Sequence, residues 1–215
     1  MQAIGETAFD AVYLTFAFIT GIVLLVKGRS YVRLFGVMAL VLSAGDSFHL
    51  IPRCYALFTD GLAAHRALLG TGKLITSVTM TLFYIILYYI WMQRYEKGSD
   101  KLTFTMWALA ALRIILCMFP QNGWTSPDPS LLWGILRNIP FAAIGIILIV
   151  LFKRSAAKDD PLRHMALAIA LSFGFYIPVV LFAEVFPAVG MLMIPKTLAY
   201  VWVVVMGIKL YKEER

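Results

Sequence analysis

Asp46, His49 and Arg53 stand three and four residues apart in Ser43-Ala-Gly-Asp-Ser-Phe-His-Leu-Ile-Pro-Arg53, directly after the apolar stretch Leu34–Leu42. At about 100° per residue they share one narrow stripe of a helix, with Ser43 on its flank. A carboxylate, an imidazole and a guanidinium on one stripe suit general acid–base work or anion binding. Inside a membrane span such groups are costly unless they face the bundle interior and find partners. Arg53 is long enough to snorkel from a helix end; Asp46 is too short and too deep. Asp46 therefore reads as a site residue, with a structural ion pair or an interhelical polar clamp as the alternative.

Other charges are expected at the same depth. Asp46 lies seven residues before the end of its segment, and Lys73 about six after the start of the next. Arg113 precedes Pro120 by seven, Arg137 follows Leu131 by six, and Lys196 follows Val189 by seven. Each offset corresponds to roughly 9–11 Å below one membrane boundary. Glu184 falls shallower, near the mouth. Lys73, Ser77, Thr81, Tyr84 and Tyr88 form a polar stripe at helical spacing. Asn138 stands beside Arg137, Tyr176 two residues before Pro178, and Tyr200 one turn past Lys196. The candidate catalytic pair is Asp46 and His49. The candidate ligand-binding set is Arg53, Lys73, Ser77, Arg113, Arg137, Asn138, Tyr176, Glu184, Lys196 and Tyr200. Lys73, Arg113, Arg137 and Lys196, with Arg53 at the rim, outnumber Asp46 and Glu184, and arginine cannot escape burial by losing its proton. A bound phosphate or carboxylate would balance them; a lysine neutralised by burial is the other escape.

The elements that must position these groups are membrane helices. The 215 residues are 61% hydrophobic and 14% charged, with a mean hydropathy of +0.82. Seven segments are long enough to cross roughly 30 Å of hydrocarbon. They are placed at Ala8–Val26, Val32–Arg53, Ala67–Gln93, Thr103–Phe119, Leu131–Phe152, His164–Phe186 and Val189–Leu210. The reading is an all-α, polytopic membrane protein, one seven-helix transmembrane domain over residues 1–215, in the cell membrane. Thirteen of the 19 Lys and Arg lie in Lys27–Arg33, Arg94–Lys101, Lys153–Arg163 and Lys209–Arg215. This positive-inside pattern puts the C-terminus in the cytoplasm and the N-terminus outside, and it speaks against a nucleic-acid partner. The N-terminus, Met1–Asp10, carries Glu6 and Asp10 and no Lys or Arg, which is unlike a secretory signal peptide, and no second intramembrane aspartate is expected.

The outer connection Cys54–Arg66 is the longest, Pro120–Ser130 reads as a short stiff cap, and Trp124 within it as a resident of the lipid interface. Cys54 and Cys117 lie near the same face, where a disulfide is conceivable and two free thiols are as ordinary. His49, His65 and His164 lack metal-ligand spacing, so no metal site and no cofactor is expected. Ala39-Leu-Val-Leu-Ser-Ala-Gly45 echoes Ala168-Ile-Ala-Leu-Ser-Phe-Gly174, and Gly21–Lys27 echoes Gly145–Leu151. A 3+1+3 pseudo-repeat would produce such echoes.

Gly45-Asp46-x-x-x-Leu50-Ile51-Pro52-Arg53 resembles the Gly-Asp helix of the lysoplasmalogenase family (YhhN-like multispan proteins). The resemblance covers about a dozen residues and implies that Asp46 corresponds to an active-site aspartate of an enzyme that cleaves vinyl-ether lysolipids. The seven spans depart from the eight usual there, and the lysine-bearing helix follows the Gly-Asp helix instead of preceding it. The arrangement is also similar to alkaline ceramidase and adiponectin-receptor hydrolases, whose SxxxH and HxxxH zinc ligands are missing. Two functions follow. In a lipid hydrolase Asp46 and His49 would act on an anionic amphiphile, with the acyl chain in the Tyr/Met/Phe-lined interior. In a transporter or seven-helix sensor the same layer would bind a small anion. The expected partners are membrane lipids and that anion.

Overall fold

The computed structural model describes residues 2–183 and 185–213, which form seven long helices and two short 3-10 turns. The helices are α1 (Gln2–Lys27), α2 (Ser30–Phe58), α3 (Arg66–Tyr95), α4 (Asp100–Met118), α5 (Leu131–Ser155), α6 (Met165–Phe182) and α7 (Met193–Glu213). Seven candidate spans, one on each helix, are long and apolar enough to cross a membrane. Short connections force neighbours antiparallel. Each helix packs on the next, and α7 returns to α1 and α2 and closes the ring, while α3 also reaches α5. The end of the bundle where α1 begins is called the N-terminal face below, and the opposite end the C-terminal face.

Several boundaries differ from the sequence expectation, each for a local reason. α1 begins at Gln2 and takes Glu6 and Asp10 into the span. α2 runs past Arg53 to Phe58, through Pro52. Proline has no N–H for the Phe48 carbonyl one turn back. Gly72 of α3 lies against that carbonyl, where any Cβ would overlap it. A glycine thus lets two helix backbones meet at the point where one has lost a bond. The connection after α2 shortens to residues 59–65 in consequence. α6 ends at Phe182, and the 3-10 turn Pro187–Leu192 leads into α7.

The interior is aromatic and filled. Phe35, Phe83, Tyr84 and Tyr88 are each 1% exposed or less. Tyr84, Phe141 and Phe173 meet with ring centroids 4.9–5.4 Å apart. At the C-terminal face Arg94 of α3 donates to the Tyr31 hydroxyl of α2 at 2.8 Å and to Glu213 of α7 at 3.4 Å. It also lies 3.7 Å from Asp160, which accepts from Tyr95 at 2.8 Å. One guanidinium therefore ties three parts of this face together.

Candidate functional site

A cavity of about 760 Å³ opens at the N-terminal face, walled by α2 to α7 and by the loop before α5. Its charged lining is one-sided. Arg53, Arg66, Lys73, Arg113, Arg137 and Lys196 all line it, against Asp128 alone among the described acidic residues. Of the 18 described Lys and Arg, twelve lie in the connections and helix ends of the C-terminal face; the other six are these six.

Arg113 is the deepest. Its side chain is 2% exposed, its Cζ rests 3.2 Å from the Phe141 ring centroid, and its Nε and Nη1 have no hydrogen-bond partner. The ring face attracts a cation but cannot accept two directed N–H bonds. Lys196, 8% exposed, places Nζ 4.7 Å from the Tyr176 ring centroid and 5.4 Å from that of Tyr200. Arg113 and Lys196 are close enough to act on one another as like charges. Arg137 is held by the loop: Nη1 donates to Asn122 Oδ1 at 2.7 Å, and Cζ stacks 4.2 Å from the Trp124 ring centroid.

That loop is built around α4. The Asn122 amide donates to the carbonyls of Leu116 and Phe119 at 2.8 Å, and Trp124 Nε1 donates to Cys117 at 2.9 Å. A Cβ at Gly70 of α3 would overlap the Trp124 carbonyl. Trp124 is therefore part of the cavity wall, not an interface anchor, because Gly70 admits its backbone against α3. The stiff cap becomes a positioning device for Arg137.

The remaining candidates fall into distinct places. Ser77 lines the cavity and returns its hydroxyl to the Lys73 carbonyl at 2.8 Å. Tyr200 lines it beside Lys196. His49 lines it with a buried Nδ1 that has no partner. Arg53, at the rim, pairs with Glu6 of α1. Asn138 donates to the Gly134 carbonyl at 2.8 Å and accepts from Tyr176 at 3.1 Å, which turns it away from the cavity. Glu184 lies outside the described residues. Asp46 is not in the cavity wall: it accepts from Tyr13 of α1 at 2.6 Å and interacts electrostatically with Lys196. It is Lys196, not Asp46, that faces the space.

Three residues were missed by sequence reasoning. Asp10 is 7% exposed inside α1 and is electrostatically coupled to Asp46 and Arg53. A second intramembrane aspartate is therefore present. The signal was available: Glu6, Asp10, Tyr13 and Ala17 recur at helical spacing, the pattern of one buried face. Tyr13 and Asn122 are the other two; a tyrosine in an apolar helix and an asparagine in a loop carry no comparable signal. Cys54 and Cys117 are free thiols, with Cys54 3.9 Å from an Asp10 carboxylate oxygen.

No family model, no curated protein and no solved structure matches this sequence. The geometry alone carries the functional reading. The guanidiniums and ammoniums around this space can hold a phosphate or carboxylate through charge-assisted hydrogen bonds. Among the described residues the one carboxylate lining the cavity is Asp128, of the loop before α5.

Proposed function

We propose that this chain is a multi-pass cell-membrane protein whose outward-facing cationic cavity binds an anionic ligand, the headgroup of an amphiphile or a small metabolite. The observation that carries the reading is the partition of its Lys and Arg. Those away from the connections and tail of the C-terminal face line one cavity, and Arg113 keeps two buried donors unsatisfied there. A buried donor without a partner costs about 1–3 kcal/mol, and an anion would remove that cost at Arg113. The C-terminal face is assigned to the cytoplasm by the Lys/Arg asymmetry of the connections. A C-terminal reporter active only on the outer side would overturn that orientation and turn the cavity inward.

Binding is favoured over hydrolysis. In the lysoplasmalogenase-like reading Asp46 acts on the ligand as general acid or base, yet Lys196 lines the cavity and Asp46 does not. A transporter or sensor is the second reading. It draws on the Arg94 hub that closes the opposite face and on the prolines Pro140, Pro178 and Pro195 in the cavity-lining helices. The two echoing three-helix units, joined by α4, would supply the moving halves.

Ligand should stabilise the protein by mass action, by about 2.7 kcal/mol at a hundredfold its dissociation constant. Thermal unfolding of the purified protein with phosphates, carboxylates and neutral analogues of matched chain length measures this. Equal stabilisation by neutral and anionic members would sink the anion site.

A further inference from the structure

We infer that the ligand is a single-chain anionic amphiphile whose hydrocarbon chain leaves the cavity sideways, between α5 and α6, into lipid. The inference rests on the anion-binding reading above and adds a second subsite to it. The site for the chain is an apolar groove of about 160 Å³ between these two helices. Phe141, Tyr176 and Val180 line both the groove and the cationic cavity, so the two spaces adjoin. Arg113 sits at this junction, its guanidinium on the cavity face of Phe141.

The groove is apolar by construction. Its two polar side chains, Asn138 and Tyr176, bond to each other, and Asn138 closes on the Gly134 carbonyl. What remains is carbon, from residues such as Ile139, Ala142 and Ile177. Ile139 and Ile177 are 58% and 45% exposed and mark the lipid-facing edge. One turn deeper a Cβ at Gly145 would overlap the Phe173 ring, so α5 and α6 meet tightly there and the groove has a floor. Pro140 and Pro178 each remove a backbone bond from a wall helix at the level of the groove.

The bundle interior offers no competing place. Below Tyr200 and Phe141 the space is occupied by Phe83, Tyr84 and Tyr88, each 1% exposed or less. An acyl chain expected in the interior therefore has no room, whereas the lateral groove is already open. Charge complementarity and continuity select the occupant: the anionic head lies among Arg113, Lys196 and their neighbours, and the chain attached to it runs through the groove. A void near 160 Å³ is the size that takes up a benzene ring, so roughly six carbons of the chain are held.

A series of alkyl phosphates from methyl to dodecyl, titrated against the full chain in nanodiscs, tests this directly. The dissociation constant should fall about fourfold per methylene over roughly the first six carbons, then level off where the chain enters lipid. In Ala142→Trp, which fills the groove, hexyl phosphate should bind no better than methyl phosphate, with methyl phosphate unchanged. Methyl phosphate binding with no gain on lengthening would overturn the groove and leave the anion site standing. A gain continuing to dodecyl, matched by neutral 1-alkanols, would mean partition into the bilayer and overturns it too. If no phosphate binds, the anion reading itself fails and the groove falls with it. Should Ala142→Trp not fold, the wild-type series decides alone.

Discussion

Arg113→Met is expected to make the empty protein more stable and to abolish its response to anions. Arg113 is 2% exposed, with Nε and Nη1 unsatisfied and a phenyl face as its main contact. Removing a buried ion for an apolar side chain of similar length is often stabilising, by about 1–4 kcal/mol. The same change removes charge-assisted bonds to a ligand, worth about 1.5–3 kcal/mol each, so affinity should drop roughly ten- to a hundredfold. The two effects have opposite sign, which separates a ligand site from a structural cation. Thermal unfolding with and without phosphate reads both. A variant that melts earlier yet still gains from phosphate would show that Arg113 holds the fold and not the ligand.

Asp46→Asn should do the reverse and destabilise the protein, by less than the about 3–5 kcal/mol of a broken buried ion pair, because it removes the carboxylate that offsets the buried Lys196 ammonium without a direct ion pair between them. Asn keeps an acceptor for the Tyr13 hydroxyl, now at 2.6 Å, so the change isolates charge from hydrogen bonding. Lys196 is the cation that Asp46 chiefly balances. The double variant Asp46→Asn, Lys196→Met should therefore recover most of the loss, whereas independent sites would add. An Asp46→Asn protein that unfolds like wild type would mean that Lys196 is balanced elsewhere.

These two residues bracket what the cavity does. Arg113 faces the space with two donors unsatisfied, and Lys196 faces it while interacting with Asp46, which does not line it. In the proposed function a ligand anion completes the first and competes with Asp46 for the second.

The sequence by itself determined the seven helices and their antiparallel order, and it led to the expectation of one depth for Lys73, Arg113, Arg137 and Lys196. Those follow from hydropathy, from connection length and from a rise of about 1.5 Å per residue, all of which are local. The convergence of these cations on one cavity was legible only as far as depth, because depth is a one-dimensional quantity. Which side of each helix faced the space was decided by packing. Gly72 and Gly70 set α3 against the backbones of α2 and of the Trp124 loop, and that contact fixed its rotation. Asp46, equal in depth to the cations, was turned onto Tyr13 and away from the cavity. Asn138 was turned onto Tyr176 and became part of a lipid-facing groove. Asp10 was grouped with the N-terminus although the first span was placed from Ala8, and packing of α1 in the bundle buried it. Helical periodicity assigns residues to stripes; only the close approaches permitted by glycine and blocked by aromatic rings decided which stripe met water, which met lipid and which met another charge.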